Sequence, residues 1–467
     1  MLGTATQEKG LELAVPGTAH ALHVSIRRKS FEDGNFAPSK RRRWTPYIVT
    51  ALICTACVGL YVHSRAGRAG DRTIEVLVPE VEQVEEQGSS RGTLVADGTF
   101  LADLGPAADE AYHLGPVDPD EYLVQLTESV NTQFPVRYRQ KLSRAITAYF
   151  PHSPHTASPP ETPARSIRST KFIHQTDKTS DGGPMSEAWR KLNEPDGWRY
   201  VFYDDARADV WVSRQLRGSE VAWAWGALRR GVLRADFLRY LVVLVQGGVY
   251  SDVDTLPLQS IAEWGTVNAK LYDTSATDGP TWWRKVPADP SVVVGVDVDV
   301  HEFMDWNKYW PRPLGICQWT LGGGPDHPIY IDVVRRIINA THHVEDFIAQ
   351  IPHQIAQLEK HKPQGWQKEV KQLRKSAETG NGIVPVMEHT GPGVWTDAVL
   401  AYLKARYNVS WHDLRGLQQP LRIGEVLILP ITGFSPGGQP DFAAKSREDS
   451  QAAVYHDFRG SWKSEGY

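Results

Sequence analysis

The sequence predicts an α/β fold on three observations. Short runs of β-branched and aromatic residues alternate with longer helical patterns from Lys171 onward. A mostly apolar helix pattern over residues 233–246 stops at Gly247-Gly248 and passes directly into a short buried strand. Hydrophobic residues make up 41% of the chain against 23% charged, enough for a sizeable core. The 467 residues allow two or three domains at roughly 100–200 residues each. A formal net charge of -4 leaves no surplus of Lys and Arg to neutralise a phosphate backbone, so a general nucleic-acid binder is excluded. Of the three cysteines, Cys54 and Cys57 lie in an apolar run, which leaves Cys317 without a disulfide partner downstream.

That apolar run, Trp44 to Val62, is 19 residues without a charge. At 1.5 Å per residue it just spans a hydrocarbon core of roughly 30 Å. It begins too far from Met1 and lacks the small-residue cleavage site of a signal peptide. Arg27, Arg28, Lys29, Lys40, Arg41, Arg42 and Arg43 precede it, while only Arg65, Arg68 and Arg72 follow closely. The more basic flank stays cytoplasmic. The expected organisation is therefore a cytoplasmic tail over 1–43, a transmembrane helix over 44–63, and a lumenal remainder in the type II sense. Asn339 and Asn408 open glycosylation triplets if that orientation holds.

Residues 64–168 are expected to be a stem. Val78 to Gly92 is acidic and polar, Tyr122 to Tyr149 has one or two amphipathic helix patterns broken by Pro135, and residues 151–163 are too rich in proline for helix or sheet. The folded domain is expected over 169–467. Its first strands are Lys171 to Gln175 and Arg199 to Tyr203, the second ending in the turn signal Asp204-Asp205.

The segment Gly231 to Pro257 carries the chemistry. Asp236, Arg239 and Val243 share one helix face, and Asp252-Val253-Asp254 closes the strand that follows. In an extended stretch alternate side chains point the same way, so Asp252 and Asp254 are expected to converge. Two semi-buried carboxylates repel unless a cation lies between them, and oxygen ligands select a hard ion such as Mn²⁺ or Mg²⁺. Such an ion neutralises a diphosphate leaving group. Asp-x-Asp occurs three times, at Asp118, Asp252 and Asp297. Context singles out the second, the first being expected in a spacer loop.

This segment resembles the DxD region of family 32 glycosyltransferases, and more closely that of the family's α-1,6-mannosyltransferases. Phe172-Ile-His-Gln-Thr176 resembles the family's opening strand, with Asp177 where Trp usually follows. Cys317-Gln-Trp-Thr320 with Asp326-His-Pro328, Glu388 to Thr396, and His456 to Lys463 resemble its later motifs in order. The resemblance implies a GT-A fold over 169–467: a nucleotide-sugar-binding domain with a central, mostly parallel sheet. It also implies a GDP-mannose donor, Mn²⁺, and retaining α-1,6 transfer to an N-linked glycan in the Golgi. His456 enters as third metal ligand through the same resemblance.

The expected roles follow. Asp252 and Asp254 hold metal and diphosphate, the second as direct ligand and the first aimed at ribose or a metal-bound water. Asp236 and Arg239 contact the nucleotide, and His174 ends the opening strand near the base. Asp297, Asp299 and Glu388 are candidates to face the reacting sugar, with His389 beside the last. Trp319 and Trp395 are expected mainly in the core, stacking on sugar or guanine being the alternative. Double displacement through a carboxylate nucleophile and same-face internal return both remain open. So do a hexosyltransferase with another donor or a lipid acceptor, and a non-catalytic glycan-binding scaffold. Oligomeric state is not legible.

Overall fold

The computed structural model describes residues 11–13, 22–24, 92–94, 100–150, 165–178, 183–266, 270–271, 289–380, 382–438 and 442–459. The apolar run from Trp44 to Val62 lies outside these residues. No helix among the described residues is long and apolar enough to cross a membrane. The chain divides into one unit over Met1–Glu86 and another over Gln87–Tyr467. In the first, Leu11–Leu13 pairs antiparallel with Leu22–Val24. Everything below concerns the second.

Its centre is a nine-stranded sheet. In chain order the strands are β1 (Phe172–Thr176), β2 (Arg199–Tyr203), β3 (Gly248–Ser251), then, past a short β4 (Thr255–Pro257) outside the sheet, β5 (Lys270–Leu271), β6 (Val292–Asp299), β7 (Leu314–Ile316), β8 (Thr320–Gly323), β9 (Leu421–Ile423) and β10 (Val426–Leu429). The spatial order is β2-β1-β3-β8-β6-β10-β9-β5, with β7 also on β6. Pairings β1·β2, β1·β3, β6·β10 and β9·β5 are parallel, whereas β3·β8, β8·β6, β9·β10 and β6·β7 are antiparallel. The sheet is thus mixed, with β1, β2, β3, β6 and β10 running one way. A separate ribbon pairs β4 with β11 (Val454–His456).

The expectation of a stem over 64–168 is corrected for its middle part. Helices α1 (Pro119–Gln133) and α2 (Val136–Tyr149) bury Tyr122, Leu126, Val130, Leu142 and Ile146 in the same core as the sheet. Removing that apolar area from water, at about 25 cal/mol per Å², fixes them to the domain. Asp118, expected in a loop, is the N-cap of α1, and its carboxylate accepts from the N–H groups of Asp120 and Glu121. Pro119 follows at the first helical position, where its missing N–H costs nothing. The proline-rich run 151–163 lies outside the described residues.

Helix α3 (Gly231–Gln246) is buried on nearly every face, and helices α4 (Pro328–His361), α5 (Trp366–Thr379) and α6 (Pro392–Tyr407) follow the sheet's middle strands. The two glycines after α3 are sterically required. Gly247 (φ 71°, ψ -175°) and Gly248 (φ 99°) turn the chain back beside β1. A Cβ on Gly248 would lie 2.3 Å from the carbonyl oxygen of Phe172. The stop is therefore an extended positive-φ turn rather than a left-handed helical cap.

Candidate active site

Strand β3 ends at Ser251, and the Asp252–Asp254 segment is a turn rather than a strand end. The Thr255 N–H donates to the Asp252 carbonyl at 3.1 Å, and the Asp252 N–H donates to Trp319 O at 2.8 Å. The two carboxylates converge because the chain reverses between β3 and β4, which corrects the alternation argument while keeping its outcome.

The ribbon β4·β11 brings a distant segment to this turn, pairing His456 with Thr255. Nε2 of His456 lies 3.1 Å from Asp254 Oδ1, and the Arg459 N–H donates to Asp254 Oδ2 at 3.2 Å. One ligand atom from each of Asp252, Asp254 and His456 falls within 4.8 Å of the other two. Burial pushes the Asp254 carboxyl up, but the His456 ring and the Arg459 N–H outweigh it and hold it below its ordinary value. The Trp319 ring stacks on His456 with centroids 4.6 Å apart and planes 23° apart, and its Nε1 donates to Phe434 O at 3.2 Å. Trp319 is thus half-buried packing that orients the imidazole. Phe458 packs against both rings, its centroid 4.1 Å from that of His456 and 5.1 Å from that of Trp319. The rest of the terminal motif, 460–463, lies outside the described residues.

Behind Asp252 stands a buried ionic chain. Arg239 Nη2 is 2.8 Å from Asp236 Oδ1 and 3.3 Å from Asp252 Oδ1, and its Nη1 donates to Gln318 O at 3.1 Å. The Tyr250 hydroxyl donates to Asp252 Oδ1 at 2.7 Å. Burial pushes the Asp236 carboxyl up to about 6 against the pull of Arg239, while the Thr390 hydroxyl donates to it at 2.9 Å. Asp236 and Arg239 are both almost closed to water, and Arg239 links Asp236 to Asp252.

The remaining candidates separate. Asp297, on β6, accepts from the Ser435 hydroxyl at 3.1 Å. Burial pushes its carboxyl up to about 7, opposed by the Ser435 hydrogen bond and the nearby His456 ring. Asp299 lies beyond a register shift between Val296 and Val298. Its carboxylate accepts from the Gly416 N–H at 2.6 Å and lies 3.6 Å from His301. Glu388 is tied to Arg312 by two bonds of 2.7 and 2.8 Å and is not a free nucleophile. Trp395 is fully buried, 5.2 Å from the Tyr240 ring.

His174 and His389 are core groups. His174 Nε2 lies 3.0 Å from Gly247 O, and His389 Nε2 lies 2.9 Å from Thr341 Oγ1. Burial pushes each imidazole down to about 4. The unfolded chain protonates them near 6.5, so the stability they contribute is complete above that value and is lost as pH falls toward 4. Between pH 7 and 5 this predicts a loss of about 2 kcal/mol per histidine. Urea titrations at the two pH values measure it, and a His389→Gln variant should show a shallower pH slope. Equal slopes in variant and wild type would refute the assignment for His389.

Some residues at the site had no role in the sequence reading. Tyr250 and Gln318 lie inside the segments singled out above but without a role of their own, and Ser435 lies outside them; their contacts emerge only once β3, β8 and the turn after β10 are side by side. Comparison with known proteins agrees with the geometry. Residues 185–270, which include the turn, match the family described as "Glycosyltransferase sugar-binding region containing DXD motif". The chain is 36% identical over 301 residues to the "Initiation-specific alpha-1,6-mannosyltransferase" of Schizosaccharomyces pombe, covering 63% of this chain and 64% of that one. It is 29% identical over 295 residues to the protein of the same name from Candida albicans, covering 60% and 66%. It is 28% identical over 419 residues to the "Putative glycosyltransferase HOC1" of Saccharomyces cerevisiae, covering 86% and 91%. The match thus spans just under two thirds of the length of the first two relatives. Among solved structures, "PaToxG Glycosyltransferase" aligns at 11% identity and a TM-score of 0.29 over 62% of this chain and 81% of that one, too remote to carry an argument. Residues 185–270 are thus similar to the DXD region of a glycosyltransferase family. Within it, the chain is similar to the initiation-specific alpha-1,6-mannosyltransferases.

Proposed function

We propose that the chain is a metal-dependent retaining glycosyltransferase that moves mannose from GDP-mannose to an N-linked glycan in α-1,6 linkage. The reading includes a single-pass type II placement in the Golgi membrane, with residues 169–467 and the helices α1 and α2 on the lumenal side. The observation that carries it is the convergence of Asp252, Asp254 and His456 from a turn and a ribbon 202 positions apart in sequence. Two carboxylates and an imidazole suit Mn²⁺ or Mg²⁺, and the pair would repel without a cation. Bound there, the ion would act as a Lewis acid on the departing diphosphate.

The chain's own residues do the rest. Tyr250 and Arg239 fix the Asp252 carboxylate, so it costs no reorganisation when donor binds. The Arg459 N–H and His456 do the same for Asp254. Asp297 is the further candidate carboxyl of this reading: its oxygen is held by Ser435, whose neighbour Phe434 accepts from the Trp319 ring that stacks on His456. Either retaining route is compatible with this: Asp297 as the candidate nucleophile of a double displacement, or as a group steadying charge during same-face return.

A donor-hydrolysis screen tests the reading. The lumenal domain is incubated with GDP-mannose, UDP-galactose or UDP-GlcNAc, with and without Mn²⁺. Manganese-dependent GDP-mannose turnover is the expected result. Preference for a UDP-sugar would replace the donor assignment, and no turnover of any donor by a folded protein would favour a glycan-binding scaffold.

A further inference from the structure

Strand β6 and strand β7 form a hairpin, with Val298 opposite Gly315 and Asp299 opposite Leu314. Its base lies in the site: β6 carries Asp297, and β7 leads directly to Gln318 and Trp319, which touch Arg239 and His456. Its tip leaves the sheet at the end where β3 delivers the aspartate turn, since β3 and β6 run in the same direction. The tip displays large apolar side chains to solvent: Phe303 is 39% exposed, Met304 59% and Tyr309 64%. Phe303, Tyr309 and Trp310 form one cluster, with ring centroids 5.6–6.0 Å apart.

This tip is built, not loose. Trp306 is buried, Trp310 packs on Phe442 at 5.0 Å, and the His301 carbonyl accepts from Ala102 N–H and Arg415. Exposing so much aromatic surface is unfavourable unless a ligand covers it. Phe303 follows Asp297 by six positions, which limits their separation to about 22 Å. That reach suits the remote sugars of a chain whose end lies at the reaction centre.

We propose that the Phe303, Tyr309 and Trp310 platform is the subsite that binds the body of an oligosaccharide acceptor, the C–H faces of pyranose rings stacking on the aromatics. The inference rests on the glycosyltransferase reading and adds the place where its acceptor lies. Charge argues for a glycan over a lipid surface. The tip has two carboxylates, Glu302 and Asp305, and one cation, Lys308, which Asp305 already pairs at 2.8 Å. Anionic headgroups attract basic clusters, not this composition.

The test is calorimetric titration of a manno-oligosaccharide and of methyl mannoside into the wild type and a Phe303→Ala/Tyr309→Ala variant, without donor. Val136→Ser, at an exposed apolar position outside the hairpin, is the control. The variant is expected to bind the oligosaccharide about tenfold more weakly than wild type and control, with methyl mannoside affected less. Equal oligosaccharide affinity in variant and wild type overturns the proposal. So does a variant that keeps glycan affinity but loses flotation with phosphatidylserine vesicles, which would make the tip a membrane contact. The titration needs no turnover, so a failure of GDP-mannose hydrolysis would sink the donor reading separately.

Discussion

Asp254→Ala is expected to lower glycosyl transfer about a thousandfold or more while leaving the fold intact. A metal that stabilises a leaving diphosphate contributes several kcal/mol to the transition state, and each 1.36 kcal/mol is tenfold in rate. Asp254 holds its oxygens toward the triad through His456 and the Arg459 N–H, with no other side chain among the described residues hydrogen-bonded to it. Its loss therefore removes a ligand without opening a cavity, because it lies in a partly exposed turn. Asp254→Asn separates charge from shape: the amide oxygen still accepts from Arg459, but the anionic ligand is gone. It should be nearly as impaired. Single-turnover rates with GDP-mannose and calorimetry of manganese-dependent GDP binding measure both effects. An alanine variant that kept a tenth of the wild-type rate, or bound nucleotide with undiminished manganese dependence, would end the metal assignment.

The parts of this site that sequence reading reached are those with local signals. The apolar α3 pattern, the glycine pair and the acidic pair are contiguous, so their order on the chain is their order in space. His456 was reachable only through resemblance, since nothing local links a residue near the C-terminus to a turn 202 positions earlier. The assignments that moved did so for identifiable reasons. The sequence offers Asp297 and Asp299 alike as candidates to face the reacting sugar, whereas in the fold the Asp299 carboxylate, beyond a register shift between Val296 and Val298, accepts from Gly416. In the sequence, Arg239 points toward a nucleotide through the helix face it shares with Asp236, just before the acidic pair. Only packing shows that its Nη1 and Nη2 meet the Gln318 carbonyl, Asp236 and Asp252, while its buried Nε has no hydrogen-bond partner among the described residues. The helices at 119–149 were visible as amphipathic patterns. What the sequence could not say is which surface their apolar faces meet, and the burial of Tyr122 and Ile146 answers that.

Arg312→Met should destabilise the domain by about 3–5 kcal/mol, because it strips the cation from a buried ionic network. Arg312 is 2% exposed. Its Nε and Nη2 donate to Asp397 on α6 at 2.9 and 2.7 Å, and its Nη1 and Nη2 donate to Glu388 at 2.7 and 2.8 Å. Burial works against the guanidinium charge, but the two carboxylates outweigh it and hold Arg312 firmly protonated. Without it, Asp397 is left buried and unpaired, facing Glu388. Lysine would not restore the site, since a point charge cannot make two bidentate contacts at once. Arg312→Met combined with Asp397→Leu and Glu388→Gln removes the stranded charges as well and should recover most of the loss. The position of the network gives the loss a second consequence. The residue after Arg312, Pro313, accepts the Val300 N–H at 3.0 Å where the β6–β7 hairpin leaves the sheet. Loosening Arg312 therefore loosens the base of the aromatic tip, and oligosaccharide affinity should fall with stability in the single variant and return in the triple one. Denaturant unfolding and the same titration test this together. A single variant as stable as wild type would show that Arg312 is balanced by desolvation. A triple variant no better than the single one would show that the arginine's packing, and not the charge it leaves behind, is what the fold requires.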